Sequence, residues 1–143
     1  MTDPQAYNQQ LIEEFRTARD LGEVPLNGRP IVLLTTRGRK SLQPRTTPIM
    51  YVRDEDRLLI IASNAGSPHH PDWYHNLVAH SDVVVEVGNE AYEATAVMTE
   101  GLERQKLWEK IVAQHPFFGE YQAKIERQIP VFALERREVG SIV

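Results

Sequence analysis

The chain has 143 residues, no cysteine, and a formal net charge of −4 from 16 Lys and Arg against 20 Asp and Glu. That length fits one domain, residues 1–143, and the missing thiols exclude disulfides, zinc–thiolate sites, iron–sulfur clusters and a cysteine nucleophile. No apolar run reaches the ~20 residues of a membrane span and no basic-then-apolar leader opens the chain, so the sequence predicts a soluble cytoplasmic protein.

Residues 5–21 predict a helix, with Tyr7, Leu11, Ile12, Phe15, Ala18 and Leu21 recurring at helical spacing. Packing on the core is the plain reading. A lid over residues 1–22, or a helix lying on a membrane surface, is the sharper one, and it leaves peripheral membrane contact open. Gly22 is expected as its C-cap, and Pro25, Gly28 and Pro30 mark a loop. Ile31 to Thr36 reads as a buried strand, 45–53 as a second, and Leu58 to Ala62 as a third, with Asp54-Glu55-Asp56 as the turn between the last two. Residues 71–79 predict a short helix with Pro71 in its first turn. Val83 to Val87 and 90–98 form a hairpin around Gly88-Asn89. Thr99 is the expected N-cap of a helix over 100–114. A further short helix covers 117–126, and Pro130 to Leu134 is the last strand. About six strands in hairpin order with helices beside them predict an α+β chain built on a small antiparallel barrel, helices packed at its ends.

Charge is distributed unevenly along these elements. From Val24 to Arg53 there are six cations (Arg29, Arg37, Arg39, Lys40, Arg45, Arg53) and no acid, which leaves the rest of the chain with 10 cations against 20 acids. Four of the six fall within the turn Arg37 to Arg45. A cationic island in an acidic chain suits one compact anion such as a phosphate or several carboxylates, bound by guanidinium forks, an ammonium and backbone N–H groups. A solvated hairpin turn with incidental charge is the competing reading. Nucleic acid would need interleaved aromatic residues, and 24–45 has none.

The second candidate runs from Ala62 to Leu77: a strand end of small residues, a loop, then a helix start near Pro71 with free N–H groups and the flat faces of Trp73 and Tyr74. Its histidines, His69, His70, His75 and His80, lack the spacing of a metal pair on one helix face, so no metal is predicted. The third candidate is Gln114 to Gln122, where Pro116 breaks a helix and leaves an aromatic patch that is either core or pocket wall.

Leu33-Leu34-Thr35-Thr36-Arg37-Gly38-Arg39-Lys40-Ser41, then Pro44-Arg45, then Ala62-Ser63-Asn64, then His70-Pro71-Asp72-Trp73-Tyr74-His75-Asn76-Leu77 together resemble the deazaflavin-dependent nitroreductase family, split β-barrel oxidoreductases that use coenzyme F420. The resemblance extends from about residue 5 to residue 136. It implies hydride transfer from reduced F420 to a small unsaturated or aromatic acceptor such as a quinone, enone, lactone or nitro compound. It implies that Arg39, Lys40 and Arg45, followed by Thr47 and Pro48, bind the phosphodiester and glutamate tail. It places Ala62, Ser63 and Asn64, with Trp73 and Asn76, beside the deazaflavin ring and its linker. Ser63 then becomes a candidate catalytic hydroxyl, with Tyr121 or His115 as proton donor. Two departures stand out. Leu42 occupies a turn position usually held by Gly, which predicts a shifted turn. Of the tyrosines that nitroimidazole-reducing relatives carry after the equivalent of Pro116, only Tyr121 remains. Rival readings are an FMN oxidoreductase on the same barrel, a non-catalytic F420-binding protein, and a nucleic-acid-binding barrel. A small-molecule substrate is expected, no nucleic acid, and either a monomer or a homodimer.

Overall fold

The structure is a computed structural model, and it describes residues 4–20 and 30–137. The expected Gly22 cap and the loop at Pro25 and Gly28 lie outside the described residues. Helix α1 spans Pro4–Asp20, followed by strands β1 (Ile31–Arg37), β2 (Pro44–Asp54) and β3 (Arg57–Ile61), helix α2 (Asp72–Ala79), strands β4 (Asp82–Val87) and β5 (Glu90–Met98), helices α3 (Gly101–Gln114) and α4 (Phe117–Ala123), and strand β6 (Val131–Arg136). The six strands are antiparallel and close in the order β1-β2-β3-β6-β5-β4. Closure comes from β1, which pairs Leu33 to Thr35 with Glu86 to Val84 of β4 while pairing its whole length with β2.

Alternation along the strands separates the apolar residues into an inside and an outside. Val32 and Leu34, Leu58 and Ile60, Val83 and Val85, Ala94 and Ala96, and Phe132 and Leu134 fill the barrel. Their neighbours point outward and are covered by helices. Leu33 lies under Ile12 and Phe15 of α1, whereas Leu59, Ile61, Val131 and Ala133 lie under Leu107, Ile111 and Phe118 of α3 and α4. Strands covered on both faces carry unbroken apolar runs, which is why β1, β3 and β6 show no polar alternation in the sequence. Helix α2 stands at one mouth, where Leu77, Trp73 and Tyr74 pack onto the interior cluster.

Helix α3 is held by ions as well as by its apolar face. Asp54 Oδ1 accepts from Lys110 Nζ at 2.8 Å and Oδ2 from Arg57 Nε at 3.1 Å, joining the β2–β3 corner to α3. Two termini differ from expectation. Thr99 is not the N-cap of α3; that position is Glu100, without a side-chain cap bond. The Thr99 hydroxyl donates instead to the Val131 carbonyl at 2.9 Å, the same oxygen its own N–H reaches, because β5 and β6 pair beside it. Pro71 is the N-cap of α2 and not a residue of its first turn.

The β1–β2 connection keeps a tight form despite Leu42. Gly38 N–H donates to the Gln43 carbonyl at 2.8 Å, Leu42 N–H to the Gly38 carbonyl at 2.9 Å, and Gln43 N–H to Ser41 Oγ at 3.2 Å. Leu42 adopts φ +61° with its side chain 58% exposed. A leucine thus sits in the left-handed region and carries its strain, about 1–2 kcal/mol for a residue with a Cβ.

Leu42→Gly should raise stability by about 0.5–1 kcal/mol, the strain relieved less the larger unfolded-state entropy of glycine. A lower urea midpoint would show that the exposed leucine contributes packing. A second expectation concerns acid. The hydrogen bond from Lys110, opposed by burial, holds the Asp54 carboxyl below its usual range. A depressed folded pKa gives stability that is complete above about pH 4 and fades as pH falls through the lower folded value. Urea midpoints followed from about pH 5 to about pH 3 should fall less steeply in Asp54→Asn than in the wild type. Parallel slopes would assign the acid sensitivity to other carboxylates.

Candidate functional site

The cationic turn projects from one end of the barrel and is held there by α2. Arg39 N–H donates to Asn76 Oδ1 at 3.1 Å, and Asn76 Nδ2 donates to Thr36 Oγ1 at 3.2 Å. Thr36, buried at the end of β1, donates in turn to the Arg45 carbonyl at 3.5 Å. Across the same strand pair Thr35 and Thr46 share a hydroxyl hydrogen bond of 2.8 Å. One amide thus fixes the backbone on both sides of the turn. Arg39, Lys40 and Arg45 are left exposed, with no ion-pair partner among the described residues.

These cations face a groove of about 800 Å³. Its floor and one side come from the turn and β2, with Arg39, Lys40, Ser41, Arg45, Thr46 and Thr47. The start of α2 supplies Asp72, Trp73 and Asn76. The far wall is α1, through Asn8, Gln9, Ile12 and Arg16. Helix α1 is fastened by Ile12 and Phe15 on Leu33, and by Arg16 Nη2, which meets Glu86 Oε2 of β4 at 2.9 Å. Sequence reading had the helix but not its place in the groove. Its polar residues carry no motif, and their position follows from the docking of its apolar face.

The structure therefore brings Arg39, Lys40, Arg45, Thr47, Trp73 and Asn76 together along one surface. Pro48 follows Thr47 on β2, opposite Leu33, and lies outside the groove lining. Ala62, Ser63 and Asn64 form a neighbouring feature reached through Trp73, which lines the groove and also packs in the interior cluster that includes Ala62. Ala62 is fully buried and Ser63 is 9% exposed. Beyond them Asn64, Ala65 and Gly66 adopt φ of +48°, +54° and +81°, a left-handed turn closed by Gly66 N–H to the Ser63 carbonyl and Ser67 N–H to the Asn64 carbonyl, both at 3.0 Å.

Two side chains hold this turn. Tyr121 of α4 lies against Gly66, where an added Cβ would come within 3.1 Å of its ring. Arg127, which the sequence did not single out, donates to the carbonyls of Ala62 (3.1 Å), Ser63 (2.9 Å) and Ser67 (3.0 and 3.1 Å). Its Nη1 also lies 3.1 Å from His70 Nδ1. Burial first, then the charge of Arg127 and the neighbouring His75, hold the His70 imidazole below its usual pKa. A ring nitrogen facing a guanidinium accepts a hydrogen bond and is turned away from metal ligation. The aromatic patch divides in two. Phe118 is buried in the core under α3, whereas His115, Phe117 and Tyr121 are partly accessible; His115 and Tyr121 stand edge to face with it and the Phe117 ring is tilted against it. Tyr121 touches the turn after Ser63. His115 stands further out, its ring 5.8 Å from that of Phe117.

Comparison with known proteins agrees with this geometry. The family described as F420H(2)-dependent quinone reductase matches residues 11–136. An F420H(2)-dependent quinone reductase of Mycobacterium tuberculosis (strain ATCC 25618 / H37Rv) is 41% identical over 111 residues, covering 76% of this chain and 74% of that protein. A solved F420-H2 dependent reductase (FDR-A) superposes with a TM-score of 0.68 at 42% identity, over 75% of this chain and 95% of its own. A solved domain-swapped dimer gives a TM-score of 0.71 at 38% identity, over 89% and 98%. With the family model matching residues 11–136 and the Mycobacterium tuberculosis relative 41% identical over 111 residues, the chain belongs to the F420H(2)-dependent quinone reductase family.

Proposed function

We propose that the groove holds the anionic tail of coenzyme F420, that the 62–64 segment and Trp73 border its ring, and that the acceptor is a quinone-like small molecule met on the Tyr121 side. Family membership makes the protein an F420H2-dependent reductase using F420 as its hydride source. The observation that carries the assignment of residues is the groove itself: three cations without carboxylate partners among the described residues, flanked by the hydroxyls of Ser41, Thr46 and Thr47.

The residues present fit that cofactor. A phosphodiester followed by carboxylates is an extended multi-anion, and Arg39, Lys40 and Arg45 offer forked and point-like positive charge along one wall. Thr47 continues that wall along β2, and Pro48, next on the strand, lies outside the lining. FMN ends in one phosphate and would leave part of this charge unused. When bound, reduced F420 supplies the hydride; the chain supplies position. Asn76 holds the turn in register with α2, and Trp73 offers an apolar wall between groove and barrel mouth. Asp72, the single acid in the lining, stands at the start of α2, where a carboxylate is stabilised by the helix dipole and can accept from hydroxyl groups. Ser63, beside the ring border in this reading, can donate a hydrogen bond to an acceptor oxygen as charge develops there. Tyr121 can orient the acceptor or donate the following proton. His115, further along the patch, is the rival donor. In the same reading the chain works as a monomer or a homodimer.

Lys40→Ala and Arg45→Ala should each weaken F420 binding by about 1–3 kcal/mol, the range of charge-assisted hydrogen bonds, with the loss shrinking at high salt. Fluorescence titration measures it, and FMN should bind much more weakly than F420. Equal affinity for the two would overturn the choice of cofactor. Ser63→Ala and Tyr121→Phe should lower turnover with quinone acceptors by on the order of 10²-fold or less, leaving F420 affinity nearly intact. A variant that loses affinity and keeps turnover would make that side chain a cofactor contact. If neither change alters turnover with any acceptor, the patch is packing and not pocket.

A further inference from the structure

We propose that Arg127 is a positioning residue for hydride transfer: its guanidinium forces the Ser63–Gly66 turn into a left-handed form and so fixes the surface offered to the deazaflavin ring. The inference rests on the reading that this segment borders the ring, but its first observation concerns the free protein. Consecutive left-handed residues are costly for anything but glycine, and here Asn64 and Ala65 both adopt that form without being glycine. Such strain persists only where surroundings overdetermine it.

Arg127 provides that constraint. Its three nitrogens reach carbonyls on both sides of the turn, those of Ala62 and Ser63 before it and that of Ser67 after it. Drawing these oxygens toward one plane brings the chain ends of the turn together. The same fork meets His70 Nδ1, which carries the order on toward α2. The His70 ring stacks on Tyr74 with centroids 3.9 Å apart, and Tyr74 packs against Phe132 of the interior.

Arg127 is itself set in place. Gln122 of α4 donates through Nε2 to the Arg127 carbonyl at 2.8 Å and accepts from Ile129 N–H through Oε1 at 2.8 Å. Ile129 is fully buried in the outer core. The segment that carries the guanidinium is therefore pinned at Arg127's own carbonyl and at Ile129, on either side of Gln128. Opposite it, Tyr121 closes on Gly66. The turn is held between a cation and a phenol that come from one helix and its exit.

The left-handed form has a chemical use. Among the described residues the N–H groups of Asn64 and Ala65 have no backbone acceptor, since the turn's own bonds use those of Gly66 and Ser67. Successive N–H groups where a right-handed residue, Ser63 at φ −75° and ψ −31°, precedes a left-handed one make a concavity suited to negative charge. If Arg127 lets go, that concavity flattens, and Ser63 changes its aim.

The test uses the full chain with Arg127→Ala, Arg127→Lys and Ala65→Gly, singly and combined. In the free protein, amide hydrogen exchange at Gly66 and Ser67 should speed up at least about tenfold in both Arg127 variants, while the interior strands keep their protection. Lysine keeps the charge but not the fork, so Arg127→Lys should show most of the effect even if Arg127→Ala fails to fold. Fluorescence titration with F420 should show affinity falling about tenfold with an unchanged salt slope, because the tail groove is untouched. Turnover of F420H2 with a quinone at saturation should fall by on the order of 10²-fold. Adding Ala65→Gly, which removes the strain, should restore part of both losses; a scaffold role alone would show no such rescue. Unchanged exchange in the free Arg127→Lys protein overturns the clamp. Faster exchange with unchanged affinity and turnover overturns the positioning role. Wild type that does not bind F420 overturns the functional reading itself, and with it the ring-side assignment of this turn.

Discussion

A single amide, that of Asn76, makes the groove. Its oxygen holds the backbone of Arg39, its nitrogen holds Thr36, and Thr36 holds the carbonyl of Arg45. Without that link the β1–β2 turn would be an exposed hairpin tip carrying like charges, and such tips splay. Like charges on one short loop repel, and water and salt reduce that repulsion. The fold accepts the repulsion and fixes the geometry by neutral hydrogen bonds. The cations stay free for a ligand, and the turn stays in register with α2, which carries Trp73 to the barrel mouth.

The rest of the scaffold serves that juxtaposition. Because β1 pairs with both β2 and β4, the barrel has no open edge near the turn, and the strand that leads into it is covered on both faces. The positions of β1 and β3 then determine where the basic turn and the 62–70 loop emerge. Non-glycine residues adopt left-handed backbone at Leu42, at Glu55 in the β2–β3 turn and at Asn64 and Ala65, and the first and last of these sites lie in the two segments that the functional reading uses.

Much of this was legible in the residues. The apolar runs of β1, β3 and β6, the Gly88-Asn89 hairpin and the cationic island each follow from local composition, and each stands where expected. What was not legible depends on partners without a sequence signature. Arg127 acts on backbone carbonyls, which every residue has, so nothing in the chain marks its targets. Arg16 and Gln9 enter the groove only because Phe15 and Ile12 dock on Leu33, a tertiary event. Thr99 had the right chemistry for a cap, but a carbonyl across the β5–β6 ladder competed for its hydroxyl and won. At Leu42 the substitution was visible, and the turn's hydrogen bonds hold that leucine at positive φ against its preference.

Helix α1 gives the groove an unusual property. One wall of the candidate groove is a separate helix, held among the described residues by the apolar contact of Ile12 and Phe15 with Leu33 and by the ion pair of Arg16 with Glu86. Occupancy of the groove and docking of α1 are therefore linked equilibria. Whatever fills the groove against Asn8, Gln9 and Arg16 also holds the helix down, and a helix that lifts away loosens its hold on the ligand. The protease sensitivity of α1 then reports how full the site is, and the residence time of a bound tail is set partly by how often a peripheral helix lets go.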